Sequence, residues 1–214
     1  MSLLIPASQL YYPNVIGRIT LDAAESLLGA DAMVRLLDEN GLAHYVGAYP
    51  PKNLRREFDF ADFSMLYAAL DREQIHQQQT PSLQWAVGRR CFEGGLQAFG
   101  ALSGFGVFSV GLQALSYAKR LRFGLQAMAL TFSTFSDQVT EVEESTDSIH
   151  YVIHRCPVCW GRHADSPICE GAGALLSEGL YWLHKKRFPI VETYCCARGD
   201  RACVFEISKT PLDD

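Results

Sequence analysis

Residues 192–207 read ETYCCARGDRACVFEI, and this short stretch contains three cysteines and a glutamate that could bind a metal: Glu192, Cys195, Cys196 and Cys203. If the segments on either side of Gly199 pair as a β-hairpin, Cys195 and Cys203 approach each other near its turn. Zn²⁺ accepts thiolates and carboxylates in one tetrahedral site, because it has no geometric preference of its own. The stretch therefore predicts part of a metal site.

Another ligand is offered by Cys169, which lies at the start of a helix predicted over residues 170–186. This helix would pack against the hairpin and bring the thiol to the same point. Three thiolates and the Glu192 carboxylate would then form a closed site that holds the helix to the hairpin and contributes to folding. Cys196 points away from Cys195 in a regular strand, so we do not expect both to bind one ion.

A second cysteine pair, Cys156 and Cys159 in the sequence CPVC, has a spacing that suits either zinc or a redox-active dithiol. These two thiols could join Cys169 or Cys196 in a second or an alternative metal site. A third interpretation is that several of the thiols are small buried hydrophobic groups. For Cys91, which stands apart in the sequence, the third interpretation is favoured.

Composition excludes some classes of protein. The chain has 214 residues, of which 48% are hydrophobic and 20% charged, as is usual for a soluble domain. A net charge of −5 lacks the basic character of a nucleic-acid-binding protein, so we expect no nucleic-acid partner. The N-terminal sequence MSLLIPASQL does not resemble a signal peptide, which predicts a cytoplasmic location where thiols stay reduced. The seven cysteines, an odd number, further disfavour a disulfide framework.

Residues 94–118 carry no charged side chain and are long enough in principle to span a bilayer. Glycine, glutamine and serine interrupt this stretch, and the SGFG at 103–106 is typical of a turn between two helices. We therefore interpret it as closely packed helices of a folded domain.

The apolar pattern predicts helices first and an antiparallel α+β unit afterwards. Thr20 and Asp31 are the predicted N-caps of two short helices. A third helix carries the apolar stripe Phe63, Leu66, Tyr67 and Leu70. The predicted elements are helices over 20–41, 82–102, 105–134 and 170–186, and strands over 138–145, 148–155, 188–195 and 202–208.

The closing stretch resembles the signature of the 4-vinyl reductase domain, a small-molecule-binding module: a glutamate, a cysteine three residues on, a Gly-Asp turn and Cys-x-Phe. Upstream, ICEGAGALLSEGL resembles the cysteine-led helix of the same family. The likeness is specific over 165–208 and looser over 80–164. It divides the chain into an N-terminal helical, dimerisation segment at 1–79 and a binding domain at 80–214, packed as one compact unit.

This resemblance implies an α/β fold shared with subunits of a eukaryotic transport complex and with gas-sensing haem domains, and it implies a homodimer. In the phenol-type sensors of the family, zinc is held by the cysteine at the helix start, the glutamate and both cysteines of the closing signature. The matching positions here are Cys169, Glu192, Cys195 and Cys203, the set that the spacing also suggests. Those sensors hold the phenolic hydroxyl with a histidine and a tryptophan; residues of these types nearby are His150, His154 and Trp160.

We expect a zinc-containing binding protein, a sensor or carrier, for a hydrophobic ligand such as an aromatic hydrocarbon, a lipid or a tetrapyrrole. The predicted wall residues are Trp85, Phe105, Phe108, Tyr117 and Phe132. One alternative, implied by the family name, is an enzyme or accessory protein in bacteriochlorophyll synthesis. The sequence supports catalysis poorly, because it has no GxGxxG loop and no P-loop. Another alternative is a redox sensor built on Cys156 and Cys159. A sensor without an ATPase or DNA-binding module would pass its signal to a partner protein.

Overall fold

The computed structural model describes residues 5–77, 82–99 and 116–212, with only the backbone for 75–77. Six α-helices lie in these ranges: α1 Asn14–Leu28, α2 Ala30–Glu39, α3 Phe60–Gln77, α4 Leu83–Phe99, α5 Tyr117–Phe135 and α6 Glu170–His184. The strands are β1 Tyr11–Pro13, β2 Arg56–Asp59, β3 Thr140–Glu144, β4 Ser148–Ile153, β5 Ile190–Tyr194 and β6 Cys203–Ser208. The predicted α+β class is confirmed.

The helix starts differ from the predicted N-caps. Helix α1 begins directly after Pro13, whose extended backbone leads into the first turn. Thr20 lies inside this helix, where its hydroxyl donates to the Ile16 carbonyl at 2.9 Å, so its prediction as an N-cap was wrong. Helix α2 begins after Gly29, and Asp31 lies in its first turn instead of capping it. An acidic residue there still interacts favourably with the helix dipole.

The four-stranded sheet is antiparallel, with the strand order β3-β4-β6-β5. Both predicted hairpins, β3–β4 and β5–β6, are present. The sequence did not predict that β4 and β6 pair, an arrangement that places Tyr151 opposite Phe205 and Ile153 opposite Cys203. These four side chains are buried. The alternation along β4 and β6 thus supplies one wall of the core.

Helix α3 buries its predicted stripe, since Phe63, Leu66, Tyr67 and Leu70 are all at most 5% exposed. Both α1 and α3 pack against α4. The segment before residue 80 therefore shares one hydrophobic core with the later helices and with the sheet.

Helices α4 and α6 touch backbone to backbone at Gly88 and Gly171. A Cβ atom on Gly88 would overlap the carbonyl oxygen of Gly171, and a Cβ on Gly171 would overlap the ring of Tyr67. Only glycine permits so close an approach, because any side chain would need the same space. This contact fixes the first turn of α6.

Among the described helices, none is both long and apolar enough to cross a membrane. Of the uncharged stretch 94–118, residues 100–115 lie outside the described residues.

The C-terminal end of α6 buries a histidine without a polar partner. The His184 ring packs at 4.8 Å from the Tyr117 ring and 5.3 Å from the Phe188 ring, centroid to centroid. In the described part of the chain neither ring nitrogen has a hydrogen-bond partner. Burial, followed by the positive charge of Arg120, lowers the pKa of His184 to about 4. The folded protein therefore holds this imidazole neutral.

We predict that Gly88→Ala lowers the free energy of unfolding by about 1–3 kcal/mol, because α4 and α6 must move apart to admit the methyl group. The matched control is Gly95→Ala in the same helix, where an added Cβ meets no atom of the described residues within 4 Å. That change should stabilise the protein by up to ~1 kcal/mol through helix propensity. Urea denaturation of both variants measures the difference. Equal effects of the two substitutions would contradict the close contact.

We also predict that His184→Phe removes part of the acid sensitivity of the fold. An unfolded chain protonates histidine near pH ~6.5, whereas folded His184 does so only near pH 4. The stability contributed by the neutral His184 imidazole is therefore present above pH ~6.5 and is lost as the pH falls towards 4. Between these pH values the native protein should lose about 1–3 kcal/mol more than the phenylalanine variant. Parallel stability curves for the two proteins over that range would refute the assignment.

Candidate metal centre and the adjoining cavity

The closing hairpin brings two thiols together at its turn. After β5 the chain makes a 3₁₀ turn at Cys196–Arg198 and reverses at Gly199, whose φ is +95°. The Asp200 carboxylate accepts a hydrogen bond from the Cys195 backbone N–H at 2.9 Å and closes the loop. The Sγ atoms of Cys195 and Cys203 then lie 4.0 Å apart.

Cys169 is the residue that precedes the first turn of α6, and its Sγ lies 3.8 Å from the Sγ atoms of both Cys195 and Cys203. A tetrahedron with Zn–S bonds of about 2.3 Å has sulfur–sulfur edges of about 3.8 Å. The three thiols thus have the separations that a tetrahedral zinc ion requires.

Glu192 completes this group from strand β5. One carboxylate oxygen accepts the backbone N–H of Cys169 at 2.7 Å, and the other is buried without a hydrogen-bond partner in the described part of the chain. Burial raises the pKa of Glu192. The four predicted ligand atoms lie within 4.8 Å of one another. A cation beside the free oxygen would offset the cost of burying the carboxylate.

The CPVC pair belongs to the same cluster. The Cys156 Sγ lies 3.7 Å from that of Cys169, and the Cys159 Sγ lies 3.4 Å from that of Cys203. These four thiols form a second group whose ligand atoms lie within 4.8 Å of one another. A second or an alternative site was among the predictions, but the sharing of Cys169 and Cys203 by both groups was not.

The remaining two cysteines are not part of either group. The half-buried Cys196 contributes its backbone N–H, which donates to the Cys203 Sγ at 3.3 Å. Cys91 is buried in α4, with its Sγ 3.7 Å from the Thr20 hydroxyl. Burial raises the pKa of Cys91 to about 12, which makes it a neutral thiol.

Crowded thiols cannot all ionise by themselves. Hydrogen bonding to Cys156, and then to Cys159 and Cys195, raises the pKa of Cys169. Hydrogen bonds from Cys156 and Cys169 stabilise the Cys159 thiolate and lower its pKa. Burying several thiols this close together therefore disfavours their simultaneous ionisation. A divalent cation reverses this preference, because it favours the thiolate form of every sulfur that it binds.

An apolar cavity of about 120 Å³ adjoins the cluster. Helices α1, α3, α4, α5 and α6 and strand β4 contribute to its wall. Its described aromatic and aliphatic lining includes Phe63, Phe92, Leu96, Phe99, Phe132 and Phe135. None of the described lining residues is charged, and none is a histidine.

Of the predicted wall residues that the structure describes, one lines the cavity and two lie elsewhere. Phe132 lines the cavity. Tyr117 instead packs against His184 and Phe188. Trp85 contacts α6 near Gly173, outside the cavity lining. Two further predicted residues, Phe105 and Phe108, lie outside the described residues.

The polar side chains of the cavity wall differ in their hydrogen bonding. The Tyr12 hydroxyl donates to Gln138, and the Gln138 amide donates to the Thr140 hydroxyl at 2.7 Å. The Tyr151 hydroxyl has no hydrogen-bond partner in the described part of the chain, although this side chain is only 2% exposed. The sequence did not single out Tyr151 as a ligand contact; the alternation along β4 is the signal that could have placed its side chain on the buried face of the sheet.

The cavity and the cysteine cluster share a wall. Cys156, Pro157 and Val158 of the CPVC segment line the cavity, as do Gly171 and Ala172 in the first turn of α6. Cys156 therefore contacts both the apolar space and the Cys169 sulfur.

The family of this segment follows from a comparison with protein-family models. Residues 149–209 match the model of the 4-vinyl reductase domain. The predicted resemblance to this domain is confirmed over these residues. The matched segment runs from β4 to just past β6, and it contains every member of the two ligand groups. No curated protein sequence matches the chain.

The fold is similar to that of H-NOX proteins. The H-NOX protein from S. oneidensis, in its Fe(II)NO ligation state, gives a TM-score of 0.57 at 12% identity, covering 94% of this chain and 99% of the other. The unliganded Fe(II) H-NOX protein from K. algicida gives 0.60 at 11% identity, covering 94% and 97%. The predicted likeness to gas-sensing haem domains is confirmed for the fold, and identities this low show the fold alone.

Haem, the group studied in one of these similar structures, does not fit the described cavity. The volume of about 120 Å³ lies below the range of ordinary small-molecule pockets, and a porphyrin needs more. No described lining residue is a histidine, and the Cys91 thiol is held neutral. Residues 100–115 contain no histidine either. Of the usual axial ligands, histidine is therefore missing from this site, although methionine, cysteine and tyrosine side chains line it.

We predict that Cys203→Ser abolishes metal binding, because Cys203 belongs to both ligand groups. Its loss should also lower the free energy of unfolding by several kcal/mol, since metal binding to such a site contributes to folding. Elemental analysis of the purified protein and thermal denaturation measure the two effects. The control is Cys91→Ser, which changes a buried thiol outside both groups. Stoichiometric metal in the Cys203 variant would exclude both groups.

Proposed function

We propose that this protein is a zinc-containing sensor or carrier for a small aromatic ligand that bears a hydroxyl group. The observation that carries the proposal is the apolar cavity beside a thiol cluster, with the buried hydroxyl of Tyr151 unpartnered among the described residues. Ligand sites are typically apolar pockets with a few polar groups that orient the ligand. The fold and the match to the 4-vinyl reductase domain support a binding function.

The cavity volume limits the size of the ligand. An apolar cavity of about 150 Å³ in another protein binds benzene, and the cavity here measures about 120 Å³. A single aromatic ring is the largest rigid group that suits this space. Of the ligand classes expected from the sequence, this favours a monocyclic aromatic compound over a lipid or a tetrapyrrole.

The polar group favours a hydroxyl-bearing ring. Burial raises the pKa of Tyr151, so its hydroxyl stays protonated and can both donate and accept a hydrogen bond. The Tyr12 and Gln138 side chains of the wall already have hydrogen-bond partners. A phenolic hydroxyl near Tyr151 would satisfy a group whose desolvation otherwise costs about 1–3 kcal/mol.

Zinc would be bound by Cys169, Glu192, Cys195 and Cys203, and a site with four protein ligands is structural. The ion would tie the first turn of α6 to the closing hairpin. Because Gly171 and Ala172 of that turn line the cavity, the ion would also hold part of the cavity wall in place.

The alternatives find less support. An enzyme acting in the cavity would need an acid or base that titrates near neutral pH. The described lining residues include no carboxylate, histidine or lysine, and burial raises the pKa of the lining tyrosines and of Cys91. A redox sensor needs an accessible thiolate, whereas Cys156 and Cys159 are each 2% exposed. The homodimer, the signalling partner and the cytoplasmic location remain predictions.

The test compares phenol with toluene, which differ in a hydroxyl and a methyl group on the same ring. Isothermal titration calorimetry on the wild-type chain should give phenol the higher affinity, by about 3- to 10-fold for one additional hydrogen bond. In Tyr151→Phe this preference should disappear while toluene affinity stays within about 2-fold of the wild-type value, because the ring and the apolar wall are kept.

Two control variants accompany this comparison. Tyr117→Phe removes a buried hydroxyl outside the cavity and should leave the phenol preference unchanged. Leu96→Trp fills the cavity and should abolish the binding of both compounds without loss of metal. The proposed ligand class is wrong if the wild-type protein binds neither compound, or if Tyr151→Phe retains the preference.

A further inference from the structure

The two ligand groups share an edge. Cys169 and Cys203 belong to both, and their Sγ atoms lie 3.8 Å apart. On one side of this edge lie Cys195 and Glu192, and on the other lie Cys156 and Cys159. Each side completes a four-ligand group around the common pair.

We infer that the cluster holds two zinc ions, with the thiolates of Cys169 and Cys203 bridging them. The first ion takes Cys195 and Glu192 as its terminal ligands, and the second takes Cys156 and Cys159. This inference rests on the zinc site proposed above, because the second ion uses two of the ligands of the first. Six protein ligands with two bridges complete the tetrahedral coordination of both ions.

The sulfur–sulfur distances around Cys156 and Cys159 are those of a preformed metal site. The Sγ atoms of Cys156 and Cys159 approach those of Cys169 and Cys203 at 3.7 and 3.4 Å. Tetrahedral Zn–S geometry needs edges of about 3.8 Å. All four thiols are at most 2% exposed, so water could not complete the coordination of an ion placed there.

The backbone of the CPVC segment is held in the turn that aims both thiols inwards. Gly161 adopts a φ of +66°, and the Arg162 N–H donates to the Cys159 carbonyl at 3.1 Å. From α3, the Ser64 hydroxyl donates to the Val158 carbonyl at 3.2 Å. The Arg162 guanidinium is anchored in turn by Asp71 of α3 at 2.5 Å. The two thiols therefore face the cluster before any ion binds.

The charge balance also permits the second ion. With one Zn²⁺, the three thiolates and the carboxylate of its group leave a net charge of about −2. A second Zn²⁺ brings two positive charges and requires only two more thiolates, so the net charge does not change. The buried cluster thus gains four metal–sulfur bonds, two of them to the bridging sulfurs, without additional buried charge.

The test counts metal ions on the full chain. Native mass spectrometry of the reduced protein, saturated with Zn²⁺ and passed over a desalting column, should show two ions per chain. Reconstitution with ¹¹³Cd²⁺ should give two NMR resonances with mutual cadmium–cadmium coupling, because the shared thiolates connect the two nuclei. This second measurement needs no variant and so does not depend on how a substitution affects folding.

Double variants show which residues bind each ion. Cys156→Ser/Cys159→Ser should retain one ion and lose the cadmium–cadmium coupling. Cys195→Ser/Glu192→Gln should likewise retain one ion, bound by the four remaining cysteines. Cys91→Ser, the control, should keep two.

The outcomes separate this inference from the proposed zinc site. A single ion that survives Cys156→Ser/Cys159→Ser but not Cys195→Ser/Glu192→Gln overturns the two-ion inference and leaves the proposed site intact. A single ion with the opposite dependence overturns both. Iron accompanied by acid-labile sulfide in the purified protein would also overturn the inference, because an iron–sulfur cluster would then occupy these thiols.

Discussion

The contact between Gly88 and Gly171 determines where helix α6 begins, and much of the candidate site follows from that position. Because the two backbones touch, the first turn of α6 lies deep between α4 and the sheet. Cys169 stands two residues before Gly171 and is carried to the turn of the closing hairpin. The same turn presents Gly171 and Ala172 to the cavity. A single steric constraint thus positions a candidate metal ligand and a part of the cavity wall.

Local patterns in the sequence predicted much of this arrangement. The apolar stripe of α3 and the alternation of β3, β4, β5 and β6 follow from side-chain periodicity, which depends on neighbouring residues only. The sequence could also predict one ligand group, because a hairpin turn and a helix start position its members: Cys169, Glu192, Cys195 and Cys203.

The features that the sequence did not predict depend on contacts between residues that are far apart in the chain. Strands β1 and β2 are only three and four residues long, and they pair across more than forty positions of the chain. The approach of Cys156 and Cys159 to Cys169 and Cys203 requires the β4–β6 pairing and the anchoring of the CPVC segment on α3. That the Tyr151 hydroxyl lacks a hydrogen-bond partner among the described residues can be seen only from the three-dimensional structure. Thr20 satisfies the residue preference for an N-cap, but the chain has already become helical before it.

The similarity to H-NOX proteins concerns the path of the backbone and not the contents of the cavity. A fold accommodates many sites, since function depends on the side chains that line it. Here aromatic rings narrow the space to about 120 Å³, and the described lining lacks histidine. Tyr151 and the shared cysteine wall give this cavity a chemistry of its own.

Cys156 contacts both the apolar cavity and the sulfur of Cys169. A side chain common to two binding sites would allow the occupancy of one site to change the affinity of the other. Whatever factor an ion at the cluster contributes to ligand affinity, the ligand must contribute to the affinity for that ion. If both sites bind as proposed, the concentration of a small apolar compound would affect how tightly the metal is retained.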